Sequence, residues 1–174
     1  MGMIHAPDPE QKERLERMAL QYGKDLLRIC FIYLRDYPTA EDAVQETFLK
    51  AIKSIDSFRE ASSEKTWLIR IAINCCRDYQ RSAWNRHIDS HLSIDRFPYL
   101  PSAPPSDEHF ALTAAIMKLK PKYKEVVLLY FYEGYSLKEI ATMLDLTEGA
   151  VSIRITKAKM KLRQELEGGE ENEK

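Results

Sequence analysis

Five basic side chains and no acidic one lie between Gly149 and Arg163. They are Arg154, Lys157, Lys159, Lys161 and Arg163. Cations grouped in this way can neutralise the phosphates of a nucleic acid. Apolar residues recur among them at helical spacing, namely Val151, Ile155, Ala158 and Leu162. This spacing puts the cations on the outer side of a helix. A solvated helix face without a ligand would also be charged, but the lack of acidic residues in this stretch favours DNA binding.

A shorter helix is predicted just before the basic one. Its apolar stripe is Leu137, Ile140, Ala141 and Leu144. Ser136 precedes this stripe and Glu139 follows three residues later, which is the pattern of a capping box. Asp145 to Thr147 leave room only for a turn, and Thr147 can cap the second helix. The pair therefore predicts a helix-turn-helix motif, whose second helix lies in the major groove of DNA.

Another basic helix is predicted nearer the N-terminus, from Thr66 as its cap to about Arg86, after a loop at 55–65. One of its sides carries Arg70, Asn74, Arg77 and Arg81. Phe58 lies in the loop and Trp67 at the start of the helix. Basic residues beside aromatic rings suit single-stranded nucleic acid, because bases stack on the rings while the cations follow the phosphates. For Trp67, core packing and a DNA-facing edge are both open.

The helix predicted between these features and the N-terminus is acidic in its first turns. It follows a first helix from Pro9 to about Arg35, and it runs from Thr39, its expected cap, to about Ser54. Its acids are Glu41, Asp42 and Glu46. Acids favour a helix N-terminus through the helix dipole. The alternative is a docking face for a basic partner.

The chain of 174 residues has a formal net charge of −1, so any nucleic-acid surface must be local. Four prolines punctuate residues 87–107, which have no helical period and read as a flexible linker. Two further helices are expected at 108–119 and 121–132, and no strand pattern occurs. The sequence predicts an all-α fold of two small helical domains. The expected parts are residues 1–86, the linker 87–107, a helix-turn-helix domain 108–166 and an acidic tail 167–174.

Several classes of protein are disfavoured by what the sequence lacks. It has no glycine-rich phosphate loop, no Ser/His/Asp arrangement and no metal cluster, so we expect neither an enzyme nor a bound metal or cofactor. His87 and His91 have no third ligand nearby. Three cysteines without CxxC spacing, Cys30, Cys75 and Cys76, read as reduced and buried. No apolar run is long enough for a membrane span and no signal core is present, which predicts a cytoplasmic location.

Two stretches resemble conserved regions of one bacterial family. Residues 39–81 resemble the second region of sigma-70-type RNA polymerase sigma factors of the extracytoplasmic-function (ECF) group. Residues 119–163 resemble the fourth region. The resemblance implies a protein that binds core RNA polymerase, directs it to promoters and helps to open the DNA. It also implies an anti-sigma factor that holds the protein inactive.

The resemblance assigns roles to matching positions. The residues expected to bind polymerase are Asp42, Gln45, Glu46 and Leu49. Those expected at the minus-ten element are Phe58, Arg59, Ser62, Ser63, Trp67, Arg70, Asn74 and Arg77. Those expected at the minus-thirty-five element are Thr147, Gly149, Ser152, Ile153, Arg154, Thr156, Lys157 and Lys159.

This sequence departs from the family pattern at five positions. Glu60 stands where glycine is common, Glu64 where an aromatic is common, and Asp145 where a turn glycine is usual. Ser152 and Ile153 replace frequent lysine and serine. Two other classes of protein stay open at this point. One is a stand-alone helix-turn-helix regulator with an N-terminal sensing or dimerisation domain, and the other is an RNA-binding adaptor.

Overall fold

The computed structural model describes residues 8–58, 62–85 and 107–170. The α-helices in these ranges are α1 Pro9–Leu34, α2 Tyr37–Ser54, α3 Glu64–Asn85, α4 Asp107–Lys118, α5 Pro121–Val127, α6 Leu137–Leu144 and α7 Glu148–Glu170. A 3-10 turn, Ile55–Ser57, follows α2, and a π-helical segment, Leu128–Tyr132, continues α5. No strand occurs in the described ranges, which confirms the all-α prediction.

The chain forms two compact units. The N-terminal unit contains α1, α2 and α3, which pack on one another, and the C-terminal unit contains α4 to α7. The predicted pair of helical domains is therefore confirmed. Of the linker predicted at 87–107, only Asp107 lies within the described residues, where it begins α4. The domain limits themselves stay a prediction.

The core of the N-terminal unit combines large side chains on two helices with small ones on the third. Met18, Leu26 and Ile29 of α1 are almost fully buried, and so are the leucine and isoleucine side chains at 68 and 69 of α3. The buried face of α2 is formed mainly by alanines, namely Ala40, Ala43 and Ala51. Small side chains let two helices approach closely, so α2 can contact both α1 and α3.

Two helix starts differ from the sequence prediction. Asp36, not Thr39, caps α2, because the Asp36 carboxylate accepts a hydrogen bond from the Thr39 N–H at 2.9 Å. Ser63, not Thr66, caps α3, since the Ser63 Oγ accepts from the Thr66 N–H at 3.1 Å. Each threonine stands three residues after the true cap and supplies the N–H that the cap satisfies.

The helix-turn-helix prediction is confirmed in the C-terminal unit. Ser136 and Glu139 form the expected capping box at the start of α6. Asp145 ends α6 in the left-handed conformation, with φ 56° and ψ 54°. The Thr147 Oγ1 then accepts from the Ala150 N–H at 3.1 Å and caps α7. A three-residue turn, Asp145 to Thr147, thus joins α6 to α7.

The π-helical segment was not predicted, and it separates buried from exposed side chains. Leu128 and Leu129 lie in the core, whereas Tyr130 and Phe131 are exposed on the same short segment. Gly134 follows with φ +74°, a conformation that favours glycine, and so turns the chain toward the cap of α6.

The acidic tail predicted at 167–174 is partly helical. Helix α7 continues through residues 167–170, and residues 171–174 lie outside the described residues. Gly168 lies within this helical end although glycine is a poor helix former.

The three cysteines are free and buried, as predicted. Burial raises the pKa of the Cys75 thiol. His87 and His91 lie outside the described residues. Within the described ranges, no group of three or more His, Cys, Asp or Glu side chains could hold a metal ion. None of the helices described here has both the length and the apolar character needed to cross a membrane.

Candidate polymerase and nucleic-acid interfaces

One face of α2 carries the residues predicted to bind polymerase, and we call Asp42, Gln45, Glu46 and Leu49 the docking surface. Asp42 and Gln45 are exposed, and Glu46 is half-buried. The Leu49 side chain is apolar, yet 51% of the residue is exposed. An exposed leucine beside acidic groups is a suitable contact for a partner that offers both apolar and basic side chains.

A line of alternating charges connects the docking surface to α3. Glu46 lies 3.9 Å from the Lys50 ammonium, which in turn lies 3.3 Å from Asp78 on α3. Asp78 also pairs with Arg81. The hydrogen bond from Arg81 is the main cause that lowers the pKa of Asp78. This line of ion pairs ties α2 to α3 and was not predicted.

Tyr79 of α3 responds to the carboxylates of the docking surface. Tyr79 of α3 lies near the two carboxylates of Asp42 and Glu46. Burial raises the pKa of Tyr79, and these carboxylates raise it further. Both carboxylates thus act on the same neighbouring group, and the nearby Lys50 ammonium partly offsets their effect.

The residues predicted at the minus-ten element lie in the loop before α3 and along α3 itself, and we call the described ones the loop surface. They are Phe58, Ser62, Ser63, Trp67, Arg70, Asn74 and Arg77. Arg59 and Glu60 lie outside the described residues. The Phe58 and Trp67 rings are both half-buried, with centroids 4.9 Å apart and planes inclined at 40°. Trp67 is thus neither wholly core nor wholly exposed, and its ring packs on Phe58.

The polar side of α3 is accessible at two of the predicted positions. Arg70 and Asn74 are exposed, while Arg77 is half-buried. Arg77 donates a hydrogen bond to the Asn74 Oδ1 at 3.4 Å. Arg81, which the sequence places on the same side of α3, pairs with Asp78. Arg70 and Asn74 can therefore meet a ligand directly, whereas Arg81 already has an acidic partner.

Helix α1 contacts both ends of the loop that precedes α3, which sequence reasoning missed. The Arg14 Nε donates to the Glu64 Oε1 at 2.8 Å, and the Arg17 Nη2 donates to both carboxylate oxygens at 2.8 and 2.9 Å. The Arg14 guanidinium also lies 5.0 Å from the centroid of the Phe58 ring. These partners are about fifty residues apart in sequence, so no local pattern could reveal them.

The residues predicted at the minus-thirty-five element lie at the turn and on the first turns of α7, and together they form the recognition surface. Its exposed members are Thr147, Gly149, Ser152, Ile153, Thr156, Lys157 and Lys159. Ile153 is 58% exposed although it is apolar. Arg154 is half-buried. An exposed N-terminal part of the second helix is what insertion into a major groove requires.

Three of the five cations on α7 have partners within the C-terminal unit. Arg154 lies 3.9 Å from the carboxylate of Glu125 on α5. The Lys159 ammonium lies 5.3 Å from the Phe131 ring centroid, and that of Lys161 lies 5.9 Å from the Tyr123 centroid. These contacts orient the basic side chains against the unit that supports them.

The structure is thus an all-α protein of two units, with a helix-turn-helix in the second. The sigma-70 region 2 family model matches residues 18–86. The sigma-70 region 4 family model matches residues 109–162. The first match covers most of α1 and all of α2 and α3, and the second contains the helix-turn-helix.

Several sigma factors are similar to this protein over most of the chain. RNA polymerase sigma factor CarQ of Myxococcus xanthus is 33% identical over 135 residues, which cover 75% of this chain and 76% of that protein. ECF RNA polymerase sigma factor SigM of Mycobacterium tuberculosis is 29% identical over 147 residues, with 84% and 74% covered. The sigma factor RpoE of Bartonella quintana, solved in complex with the anti-sigma factor NepR, has a TM-score of 0.70 and 24% identity over 88% of this chain and 96% of that chain.

The chain therefore belongs to the ECF group of sigma-70-type RNA polymerase sigma factors. It binds core RNA polymerase, directs the enzyme to specific promoters and helps to open promoter DNA. Sigma factors are transcription initiation factors and not themselves enzymes. The alternative of a stand-alone helix-turn-helix regulator is not favoured by these matches.

Proposed function

We propose that the three surfaces divide the work of promoter recognition among them. The docking surface on α2 binds core RNA polymerase. The loop surface captures unpaired bases of the minus-ten element, and the recognition surface on α7 reads the minus-thirty-five element in duplex DNA. The observation that carries this division is the exposure of Arg70 and Asn74 on α3, the helix that also carries Trp67 of the half-buried Phe58–Trp67 pair. Cations next to an aromatic pair suit an unpaired strand rather than a duplex.

The energetics require that the loop surface acts with a large partner. Opening roughly ten base pairs loses stacking of about 1.4 kcal/mol per step, or on the order of 10–20 kcal/mol. Stacking one base on an aromatic ring returns only about 1–3 kcal/mol. Base capture by the loop surface therefore cannot open a promoter alone, and polymerase supplies the remainder through the docking surface.

The recognition surface supplies an anchor on duplex DNA. Lys157 is exposed on α7, and cations of this kind contact phosphates without reading the sequence. Ser152, Ile153 and Thr156 project from the same exposed part of the helix and are the candidates for base-edge contacts. Because residues 152 and 153 depart from the common family pattern, we expect the preferred minus-thirty-five sequence to differ from that of family members with the common residues.

We also propose that an anti-sigma factor binds this chain and that the chain acts in the cytoplasm. The Bartonella RpoE structure contains such a partner. In this chain, Leu49 on the docking surface is exposed and apolar. An inhibitor that covers this leucine would compete directly with polymerase. Competition between that inhibitor and purified core polymerase for binding to the chain is the corresponding test.

Reconstituted transcription tests the division of labour. The full chain is mixed with core polymerase and fragmented genomic DNA, and the 5′ ends of transcripts define its promoters. On such a promoter, Asn74→Ala and Arg70→Ala are expected to lower open-complex formation while polymerase binding is unchanged. Loss of polymerase binding in these variants, or full activity of both, would show that α3 does not contact the minus-ten element.

A further inference from the structure

A stripe on α1 contacts both ends of the loop that contains Phe58. Gln11, Arg14 and Arg17 are spaced three residues apart, so they share one side of the helix. The Gln11 side-chain amide donates to the Asp56 carboxylate, just before Phe58. Arg14 and Arg17 donate to Glu64, the first residue of α3. One helix thus holds the chain on either side of the loop.

The contacts at Glu64 have the geometry of a strong, charge-assisted pair. Arg17 binds both carboxylate oxygens of Glu64, and Arg14 binds one of them, all at 2.8–2.9 Å. The Glu64 side chain is only 16% exposed. Burial raises the pKa of Glu64, but the hydrogen bonds from Arg17 and Arg14 outweigh this effect and hold the pKa below its usual value. Three hydrogen bonds from two guanidinium groups thus converge on one carboxylate, and such charge-assisted bonds are stronger than those between neutral groups.

Arg14 also links the ion pairs to the aromatic pair. Its guanidinium lies 5.0 Å from the Phe58 centroid, and Phe58 packs 4.9 Å from Trp67. The Phe58 ring therefore contacts α1 through Arg14 and α3 through Trp67.

We infer that Arg14, Arg17 and Glu64 form a clamp that holds the loop surface ready for an unpaired strand. In this view the two arginines are positioning residues and touch no base. The inference rests on the proposed role of the loop surface at the minus-ten element. Its physical basis is preorganisation, since a loop whose ends are fixed before binding loses less conformational freedom when the strand arrives.

A competing account gives Arg14 and Arg17 direct contacts with DNA phosphates. The two accounts predict opposite effects of Glu64→Gln. If the arginines bind phosphates, removing the carboxylate frees them and strengthens DNA binding. If they form a clamp, the same change loosens the loop and weakens capture of the strand. The sign of this effect therefore separates the two accounts.

Hydrogen exchange on the free full-length chain tests the clamp independently of any promoter. The variants are Glu64→Gln and the double variant Arg14→Gln/Arg17→Gln. The matched control is Lys65→Gln, which removes a neighbouring α1–α3 ion pair, Lys65 with Asp25 at 3.0 Å. Amides in peptides covering residues 55–63 are expected to exchange several-fold faster in the clamp variants than in the control. Equal exchange rates in the wild type, the two clamp variants and the control would overturn the clamp.

Binding of the holoenzyme to a promoter with a pre-opened minus-ten region tests the consequence. The promoter is one defined by the transcript mapping above. We expect about a three- to tenfold loss of affinity for Glu64→Gln, the range of a partly exposed ion-pair network. The triple variant Arg14→Gln/Arg17→Gln/Glu64→Gln should bind this DNA no more weakly than the double variant Arg14→Gln/Arg17→Gln, because the three side chains act as one unit. Tighter binding by Glu64→Gln, or losses of affinity that add, would overturn the inference.

If the wild-type holoenzyme itself failed to bind this DNA, the proposed function would be wrong, while the hydrogen-exchange comparison would still test the clamp.

Discussion

Arg154 on the basic helix α7 lies 3.9 Å from the Glu125 carboxylate on α5, whose side chain is only 4% exposed. The Arg154 side chain is itself 27% exposed. Arg154 therefore has two roles, which the sequence alone did not distinguish. It belongs to the surface expected to meet DNA, and it also ties the recognition helix to the core of the C-terminal unit.

Replacing Arg154 by alanine should consequently cause two defects. We expect weaker binding to minus-thirty-five DNA and a loss of stability of about 1 kcal/mol, since the pair is partly buried but not tightly bonded. In a domain of this size that corresponds to a fall in Tm of about 4–8 °C. Thermal unfolding and duplex binding measure the two effects. The control is Lys157→Ala, which should weaken DNA binding alone. Unchanged stability of the Arg154 variant would show that the contact with Glu125 contributes nothing.

A substitution on the docking surface should impair polymerase binding and leave DNA binding intact. Asp42→Lys should reduce affinity for core polymerase by about tenfold or more, because it places a like charge against a basic partner. Binding to minus-thirty-five DNA should be unaffected. Titration of labelled core polymerase measures the first quantity. Glu16→Lys makes the same charge change on an exposed part of α1 and should leave polymerase affinity unchanged. If both variants lost affinity equally, net charge and not the α2 face would govern binding.

Salt dependence counts the phosphates that α7 contacts. Five cations would give a log–log slope of about −4.5 for duplex DNA. The contacts of Arg154, Lys159 and Lys161 with Glu125, Phe131 and Tyr123 limit their reach, so we expect a shallower slope. Lys157→Gln should make the slope less steep by about 0.9. Lys53→Gln, on α2, should leave it unchanged. A slope that does not respond to Lys157→Gln would remove this residue from the interface.

The lowered pKa of Glu64 predicts a pH dependence of stability. A carboxylate whose pKa is lower in the folded than in the unfolded state stabilises the fold fully above its usual value, 4.5 for Glu64. That contribution is lost as the pH falls through the lowered value. Glu64→Gln should therefore be less stable than wild type at pH 7, and the difference should shrink toward pH 3. Urea unfolding at several pH values measures this. A difference that stays constant with pH would mean that charge on Glu64 does not stabilise the N-terminal unit.

Local patterns were sufficient to predict the helix-turn-helix but not the contacts between distant elements. The capping box at Ser136 and Glu139 follows from short-range chemistry, so the sequence predicts it, and Asp145 takes the left-handed turn position where glycine is usual. The caps of α2 and α3 were wrong because Asp36 and Ser63 compete with nearby threonines, and spacing alone does not rank them.

The candidate sites show the same division between local and distant information. Helical periodicity predicted which residues of α2, α3 and α7 face outward, and most of these side chains are exposed. It could not predict that Glu125 pairs with Arg154, or that Arg14 and Arg17 pair with Glu64. These partners come from different helices, and only packing brings them together. The contact between Lys159 of α7 and Phe131 of the π-helical segment is a further case.

We propose that one face of this chain engages polymerase while its loop surface traps an unpaired strand. Permanganate reactivity of promoter thymines, measured with core polymerase alone, the chain alone and the two together, tests it most directly. We predict reactive thymines around the minus-ten element only when both proteins are present, and a marked loss of that reactivity with Asp42→Lys. Opening by the chain alone, or no opening with the complete mixture, would contradict the account.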